Sequence, residues 1–266
     1  LDSRLIRISD PEDPRIYTYR NIKERDLVGR EQRFVAEGKV VLDVLLSSGR
    51  FQAESVLLRE NRVAGMAPLL ARLPDNVPVY VAEGAVMDTI AGFPMHRGVL
   101  AIGLRGPEER LEALLARMPE EALVVALCGI SDHDNMGAIF RNAAAFGADA
   151  VLMDASSCDP LYRKAIRVSV GGALEVPFVR EGSADALVDI LQEKGFRVLA
   201  LSPSGKDDIK SVKRAPRTAL LLGAEGPGLP QRLIKRLPSV RIPIRSDFDS
   251  LNVAAATAIA LHELWR

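Results

Sequence analysis

From residue 122 onward the chain repeats one pattern: short, largely apolar runs at residues 122–129, 150–153, 176–179, 198–202 and 219–223, each separated from the next by the length of a crossover. A strand buried on both faces reads as a continuous apolar run rather than an alternation, so these five predict a parallel sheet. Helical patterns over residues 137–146, 160–169 and 184–194 fall between the first four runs, which places helices on both faces of that sheet. A helix over 231–236, a sixth short strand over 240–244 and an apolar helix over 251–264 complete an α/β half.

The earlier part of the chain is patterned differently. Residues 30–105 alternate a helix over 32–46, a strand over 54–58, a helix over 66–73, a strand over 77–81, a short helix over 86–90 and a strand over 98–104, which predicts a small α/β domain. Residues 1–29 precede it as an N-terminal extension. Residues 106–120, rich in Glu, Arg and Pro around Leu111, Leu114 and Leu115, read as a linker to a second domain over 121–266. Two domains suit a chain of 266 residues.

Composition narrows the function. With 48% hydrophobic and 26% charged residues, disordered and fibrous classes are excluded. Lys+Arg and Asp+Glu are both 35, so any nucleic-acid role must come from a local patch. Residues 191–245 supply one, with 12 Lys/Arg against 4 acids. Cys128 and Cys158 are too few for a disulfide framework and fit a reducing compartment; Cys128, in an apolar run, reads as core. Residues 251–265 are the longest apolar segment, interrupted by Asn252, His262 and Glu263 and shorter than the roughly 20 residues a bilayer span needs. No secretory signal pattern opens the sequence, so a cytoplasmic protein with no membrane helix is expected.

Metal chemistry finds no support, since His96, His133 and His262 are far apart in sequence and no His/Cys cluster has ligand spacing. There is no Walker loop and no Gly-x-Ser-x-Gly elbow. Three polar segments rich in glycine remain, each at the C-terminal end of a predicted strand, where open α/β sheets bind ligands. The first, residues 131–142, carries Asn135, Gly137, Ile139 and Arg141. Six helical residues turn Arg141 about 240° from Asn135, which makes Asn135 a loop residue or cap; taken alone the segment is a capped helix with a solvated arginine. The second, residues 222–229, sets Gly223, Gly226, Gly228 and Pro227 around Glu225, a tight loop with exposed backbone N–H groups. The third runs through Ile242, Pro243 and Ile244 to Ser250, Leu251, Asn252, Val253 and Ala254, where Ser250 reads as a helix cap.

In this order and spacing the three segments resemble the three motifs of the SpoU (TrmH-like) family of RNA ribose 2′-O-methyltransferases, in the SPOUT superfamily. The resemblance covers residues 120–266. It is looser over residues 33–38 and 96–99, which look like the RNA substrate-binding domain that often precedes the catalytic one, with Arg97 where Gln is common. The resemblance implies a C-terminal half folded as a deep trefoil knot, although connections do not thread as a rule. It implies S-adenosylmethionine as cofactor, converted to S-adenosylhomocysteine and held by backbone groups of Gly223, Ile242 and Leu251. It further implies an rRNA or tRNA substrate and a homodimer built through the C-terminal domain. By the same resemblance Arg141 is the central catalytic residue, oriented with the ribose by Asn135, Glu225, Ser250 and Asn252. An arginine stays protonated, which favours phosphate anchoring over a general-base role.

Two other classes compete. A non-catalytic RNA-binding protein retaining the fold is opposed by the intact Arg141, Glu225, Ser250 and Asn252. A Rossmann-type oxidoreductase is opposed by the glycine order at Gly223 and Gly226 and by its late place in the sheet.

Overall fold

The computed structural model describes residues 4–20, 28–92, 95 and 97–265. The chain divides into two compact units, Leu1–Pro107 with Leu161–Glu175, and Glu108–Pro160 with Val176–Arg266.

In the first unit a mixed five-stranded sheet runs β1-β4-β3-β5-β2, formed by β1 (Leu5–Ile8), β2 (Arg33–Glu37), β3 (Gln52–Arg59), β4 (Val79–Ala82) and β5 (Val99–Leu104). Strand β4 pairs in parallel with β1 and β3, whereas β5 is antiparallel to β2 and β3. Helices α1 (Lys39–Ser47), α2 (Val63–Leu70) and α3 (Gly84–Ala91) connect the strands. The single helix expected over 32–46 is therefore a strand, a glycine and a helix. Phe34, Val35 and Ala36 are all buried, and such a run carries no period-2 signal. Gly38, at φ +97°, then breaks the strand. Nor is the extension expected over 1–29 an appendage, because β1 forms the edge of the sheet and Ile16 and Tyr19 enter its core. The Tyr19 hydroxyl meets Ser55 Oγ at 2.7 Å, and burial holds its pKa above the ordinary phenol value.

Helices α6 (Arg163–Val168) and α7 (Gly172–Glu175), expected inside the second domain, belong to this first unit. Arg163 accounts for part of that placement: its Nε donates to Oε2 of the buried Glu37 at 3.0 Å, and its Nη2 lies 2.9 Å from the same oxygen as an ion pair. A buried carboxylate needs such a partner.

The second unit holds an all-parallel seven-stranded sheet in the order β10-β12-β9-β11-β6-β7-β8. Its strands are β6 (Ala122–Cys128), β7 (Ala150–Met153), β8 (Phe178–Arg180), β9 (Arg197–Leu201), β10 (Asp207–Asp208), β11 (Arg217–Gly223) and β12 (Ser239–Arg241). Its helices are α4 (Leu111–Ala116), α5 (His133–Ala145), α8 (Ala184–Glu193), α9 (Gln231–Arg236) and α10 (Val253–Leu264). The linker expected over 106–120 is instead partly core: Leu111, Leu114 and Leu115 of α4 pack in this unit's main cluster. Strand β11 lies centrally, with Ala219, Leu220 and Leu221 wholly buried. Because the strands are parallel, the segments leaving β6, β9, β11 and β12 emerge at one end of the sheet.

A glycine in the first sheet yields a test. A Cβ on Gly103 would lie 2.2 Å from the Phe34 ring. Gly→Ala in a strand ordinarily favours folding, but here overpacking reverses the sign. Urea denaturation should find Gly103→Ala less stable by about 1–3 kcal/mol, with part of the loss recovered when Phe34→Leu is added.

Candidate active site

Two helix starts and one loop converge through a single side chain. The Asp132 carboxylate caps α5 by accepting from Asn135 N at 2.9 Å. Asn135 thus sits in the first helical turn, 8% exposed, and not in the loop or cap position expected from sequence. Asn252, and not Ser250, caps α10: its Oδ1 accepts from Ala254 N at 2.9 Å and Ala255 N at 3.2 Å. With the oxygen committed to the helix, Asn252 Nδ2 donates to Asn135 Oδ1 at 2.9 Å and to Glu225 Oε1 at 3.1 Å. Seven residues along α5 return to nearly the same face, and there Asn142 Nδ2 donates to Ala254 O at 2.8 Å. The two helices are pinned side by side at two places.

The loop after β11 follows from its glycines. A Cβ on Gly223 would lie 2.3 Å from the Gly228 carbonyl carbon and from Leu229 N, so only glycine lets the loop fold back onto the strand end. Gly226 and Gly228 have φ of +80° and +65°, and Gly228 N donates to Ala224 O at 2.9 Å. Beside this loop lies a cavity of about 430 Å³, within the range of small-molecule sites. Its wall contains Gly223, Glu225, Ile242, Ser250, Leu251 and Asn252, which gathers six of the eight expected site residues. The sequence reading missed the contribution of Leu201, Ser202 and Pro203, whose only signal is their place at the end of β9. Among the described residues, Glu225 is the one ionisable residue in the wall.

The other two expected residues stand differently. Asn135 reaches the cavity wall through Asn252. Arg141 is exposed on α5 and has no hydrogen-bond or ion-pair partner among the described residues, so the expected bonds to it from Asn135, Glu225 and Asn252 are not made in this state. Ser250 is likewise exposed. His96 lies outside the described residues.

The turn that launches α5 is braced from below. The buried Asp154 carboxylate accepts from Gly129 N at 3.0 Å, Ser157 N at 3.1 Å, Ser157 Oγ at 2.8 Å and Ser156 Oγ at 2.8 Å. Cys128 and Cys158 sit nearby in sequence, half-buried, and burial pushes their thiols up to about 11 and about 12. Both are protonated at neutral pH and poor nucleophiles.

Much of the basic excess over residues 191–245 is consumed internally. Arg232 and Arg236 on α9 pair with Asp185 and Asp189 on α8, and Arg232 holds the Asp185 carboxyl below the usual range. Arg197, Arg214, Arg217 and Arg241 donate to backbone carbonyls, and Arg245 pairs with Asp247.

The chain belongs to the SpoU rRNA methylase family, whose pattern matches residues 122–262. It is 39% identical to a tRNA/rRNA methyltransferase of Mycobacterium bovis over 97% of this chain and 91% of that one. It is 31% identical to the 23S rRNA (guanosine-2′-O-)-methyltransferase of Photobacterium profundum over 80% of this chain and 89% of the relative. Among solved structures, the AdoMet-bound rRNA methyltransferase of Sinorhizobium meliloti superposes with a TM-score of 0.80 at 26% identity, covering 98% of this chain and 97% of that one.

The Asn252 bridge yields a paired test. Asn252→Ala removes the cap and should cost about 1 kcal/mol. Asn252→Asp keeps the cap but sets a second carboxylate against Glu225, which raises a folded-state pKa in that pair. A raised carboxyl pKa stabilises the fold at low pH and loses that contribution as pH rises through the raised value. Denaturation of Asn252→Asp against wild type at acid and neutral pH should therefore find the variant relatively weaker at neutral pH.

Proposed function

We infer that the chain transfers a methyl group from S-adenosylmethionine to a ribose 2′-hydroxyl of structured RNA, rRNA or tRNA. The observation that carries this is the glycine-built cavity beside Glu225, tied by Asn252 to the helix of Asn135 and Arg141, in a member of the SpoU family. The wall suits the cofactor. Leu222, Leu229, Ile234, Ile242 and Leu251 offer an apolar slot for an adenine, and the lone carboxylate suits a ligand that carries a sulfonium cation. Gly223, Ile242 and Leu251 would hold it through backbone groups. When bound, the cofactor supplies an electrophilic methyl group.

The remaining work falls to this chain's side chains. A ribose hydroxyl is a weak nucleophile, so positioning and proton removal supply most of the rate. Arg141, exposed and uncommitted, is suited to grip the phosphate beside the reacting ribose; the proton passes to a phosphate oxygen or water. Asn252 holds Asn135 and Glu225 in one network, and Ser250, two residues before it, lies on the cavity wall.

A homodimer through the C-terminal domain is part of this proposal. Ile259 and Trp265 at 38% and 59% exposure, and Phe248 at 67%, leave apolar surface on α10 and at both of its flanks that a second copy would cover. So is the trefoil threading of the segment after β12, from which Ile242, Ile244, Ser250, Leu251 and Asn252 share the cavity wall with the β11 loop. A role on cellular RNA places the protein in the cytoplasm. No helix among the described residues is long and apolar enough to cross a membrane.

Arg141→Ala should abolish methyl transfer to RNA while leaving S-adenosylmethionine affinity within a few-fold. Arg141→Lys should recover little, because a point charge does not reproduce a planar fork. Single-turnover methylation with calorimetric cofactor titration checks both; wild-type transfer in the alanine variant overturns the assignment. Light scattering at micromolar concentration should return the mass of a dimer, and a single monomeric species would refute the assembly.

A further inference from the structure

Asp154, just past the end of β7, is a buried carboxylate that stands outside the cavity wall. Its Oδ1 accepts from Gly129 N, Ser157 N and Ser157 Oγ, and its Oδ2 from Ser156 Oγ, all within 3.1 Å. Ser157 Oγ in turn accepts from Ile130 N at 3.1 Å. Two successive amides of the turn between β6 and α5 therefore end on this carboxylate, one directly and one through a hydroxyl. Cys158 N donates to Ile130 O at 2.8 Å and closes the turn onto the same segment. That segment is held from β8 as well, where Arg180 Nη1 donates to Ala155 O at 3.2 Å and to Ser157 O at 3.1 Å.

What this brace holds is the entry to α5. Gly129, at φ +70°, takes the chain out of β6, and three residues on Asp132 caps the helix. A Cβ on Gly129 would stand 3.6 Å from Ala224 Cβ and 3.7 Å from Ser156 Oγ, so the turn lies between the brace and the residue that precedes Glu225. The bonds of Asn135 and Asn142 tie α5 to α10, whereas Asp154 ties its entry to the sheet at β7. Arg141 follows the cap by nine residues, about 14 Å along the helix axis, so a tilt of about 5° at the entry displaces it by about 1 Å.

We propose that Asp154 is a positioning residue for methyl transfer: by holding Gly129 and Ile130 it sets where α5 starts, and so where Arg141 stands relative to Glu225. The proposal rests on the reading of the protein as an RNA methyltransferase. Neither the turn nor the brace contributes to the cavity wall, so the signature is a slower transfer step with cofactor binding intact. The four donors that meet Asp154 are neutral, so the brace acts through the place of its oxygens and not through charge.

Three substitutions in the full chain separate place from charge. Asp154→Asn keeps Oδ1 for three donors and sets Nδ2 against Ser156, whose hydroxyl turns from donor to acceptor. Asp154→Glu keeps a carboxylate but moves it by about 1.5 Å, one carbon–carbon bond. Asp154→Ala removes the acceptor. The rate is that of single-turnover transfer from methyl-labelled S-adenosylmethionine to unmodified rRNA and tRNA transcripts, measured well below each variant's melting temperature. The alanine and glutamate variants should be about a hundredfold slower, with cofactor affinity within a few-fold, and the asparagine variant within about threefold of wild type. Wild-type rates in the alanine and glutamate variants, even with a lowered melting temperature, overturn the proposal. So does an asparagine variant as slow as the alanine one, or a loss of cofactor affinity that accounts for the loss of rate. Should Asp154→Ala not fold, Ser157→Ala cuts the path to Ile130 and should slow transfer about tenfold; an unchanged rate overturns the proposal in its place. Amide hydrogen exchange at Gly129, Ile130 and Asn135 reads the hold on α5 without catalysis, and should quicken in the alanine or Ser157 variant but not in the asparagine one. The two readings thus fail separately. A wild-type chain that methylates no RNA, with exchange quickened as expected, removes the methyl-transfer reading and leaves the hold of Asp154 on α5. Transfer at one rate in wild type and all variants does the opposite.

Discussion

The Asn252 carboxamide makes four hydrogen bonds, the full capacity of an asparagine side chain. Its oxygen starts α10 and its nitrogen joins α5 to the loop after β11. Three segments spread over 117 residues of sequence are thereby one connected unit. Aspartate matches the oxygen contacts but has no donor for Asn135 and Glu225, and serine has one donor on a shorter arm. The motif therefore needs asparagine at this position for a reason that is visible in the geometry, independent of any role in chemistry.

Charge is distributed with similar economy. The cavity beside the β11 loop mixes apolar residues with the uncharged polar Ser202, Gln231, Ser250 and Asn252, and among the described residues of its wall Glu225 alone can carry a charge, so a positively charged ligand there meets a single counter-charge. The arginines of residues 191–245, which by count suggest an RNA-facing surface, are mostly engaged with α8 carboxylates and with backbone carbonyls. Charge counts along a sequence do not separate these uses, because an arginine that ties a helix down and one that waits for a phosphate have the same composition. Arg141 makes no hydrogen bond or ion pair among the described residues, which distinguishes it from the equally exposed arginines of α9.

The second sheet was legible because parallel strands buried on both faces carry a strong apolar signal, and β6, β7, β9 and β11 fall close to where the runs predict them. The glycines of the β11 loop were legible too, since positive φ and close backbone approach leave few other residue types. Local pattern failed where tertiary contact decides. Strand β2 is apolar at consecutive positions and runs through Gly38 into a helix, which mimics one long helical stretch. Asn135 was placed outside its helix on the argument that it and Arg141 should share a face, but the structure couples Asn135 to Asn252 on a different face from Arg141. The assignment of residues 161–175 to the first unit rests in part on pairing Arg163 with Glu37, 126 positions apart, which no local pattern encodes. Strand β10, two residues long, is below any periodicity.

The two cavities are built by opposite means, and this bears on how such a chain changes. At the sheet end, backbone lies against backbone: Gly205 leaves no room for a Cβ, which would stand 2.3 Å from the Val240 carbonyl, and Gly223 is equally crowded by Gly228. These positions tolerate no side chain, whereas the apolar wall residues can exchange for others of similar volume at a cost below about 1.5 kcal/mol. The first unit's cavity combines the buried Glu37, Val41, Met66 and Val99 with the exposed Lys39, Arg62, Arg97 and Arg167, and replacing those four leaves the core untouched. Surface substitutions of that kind are nearly neutral for stability. The glycine positions at the sheet end are therefore fixed by geometry, whereas the exposed cations of the first unit can be exchanged at little cost to the fold.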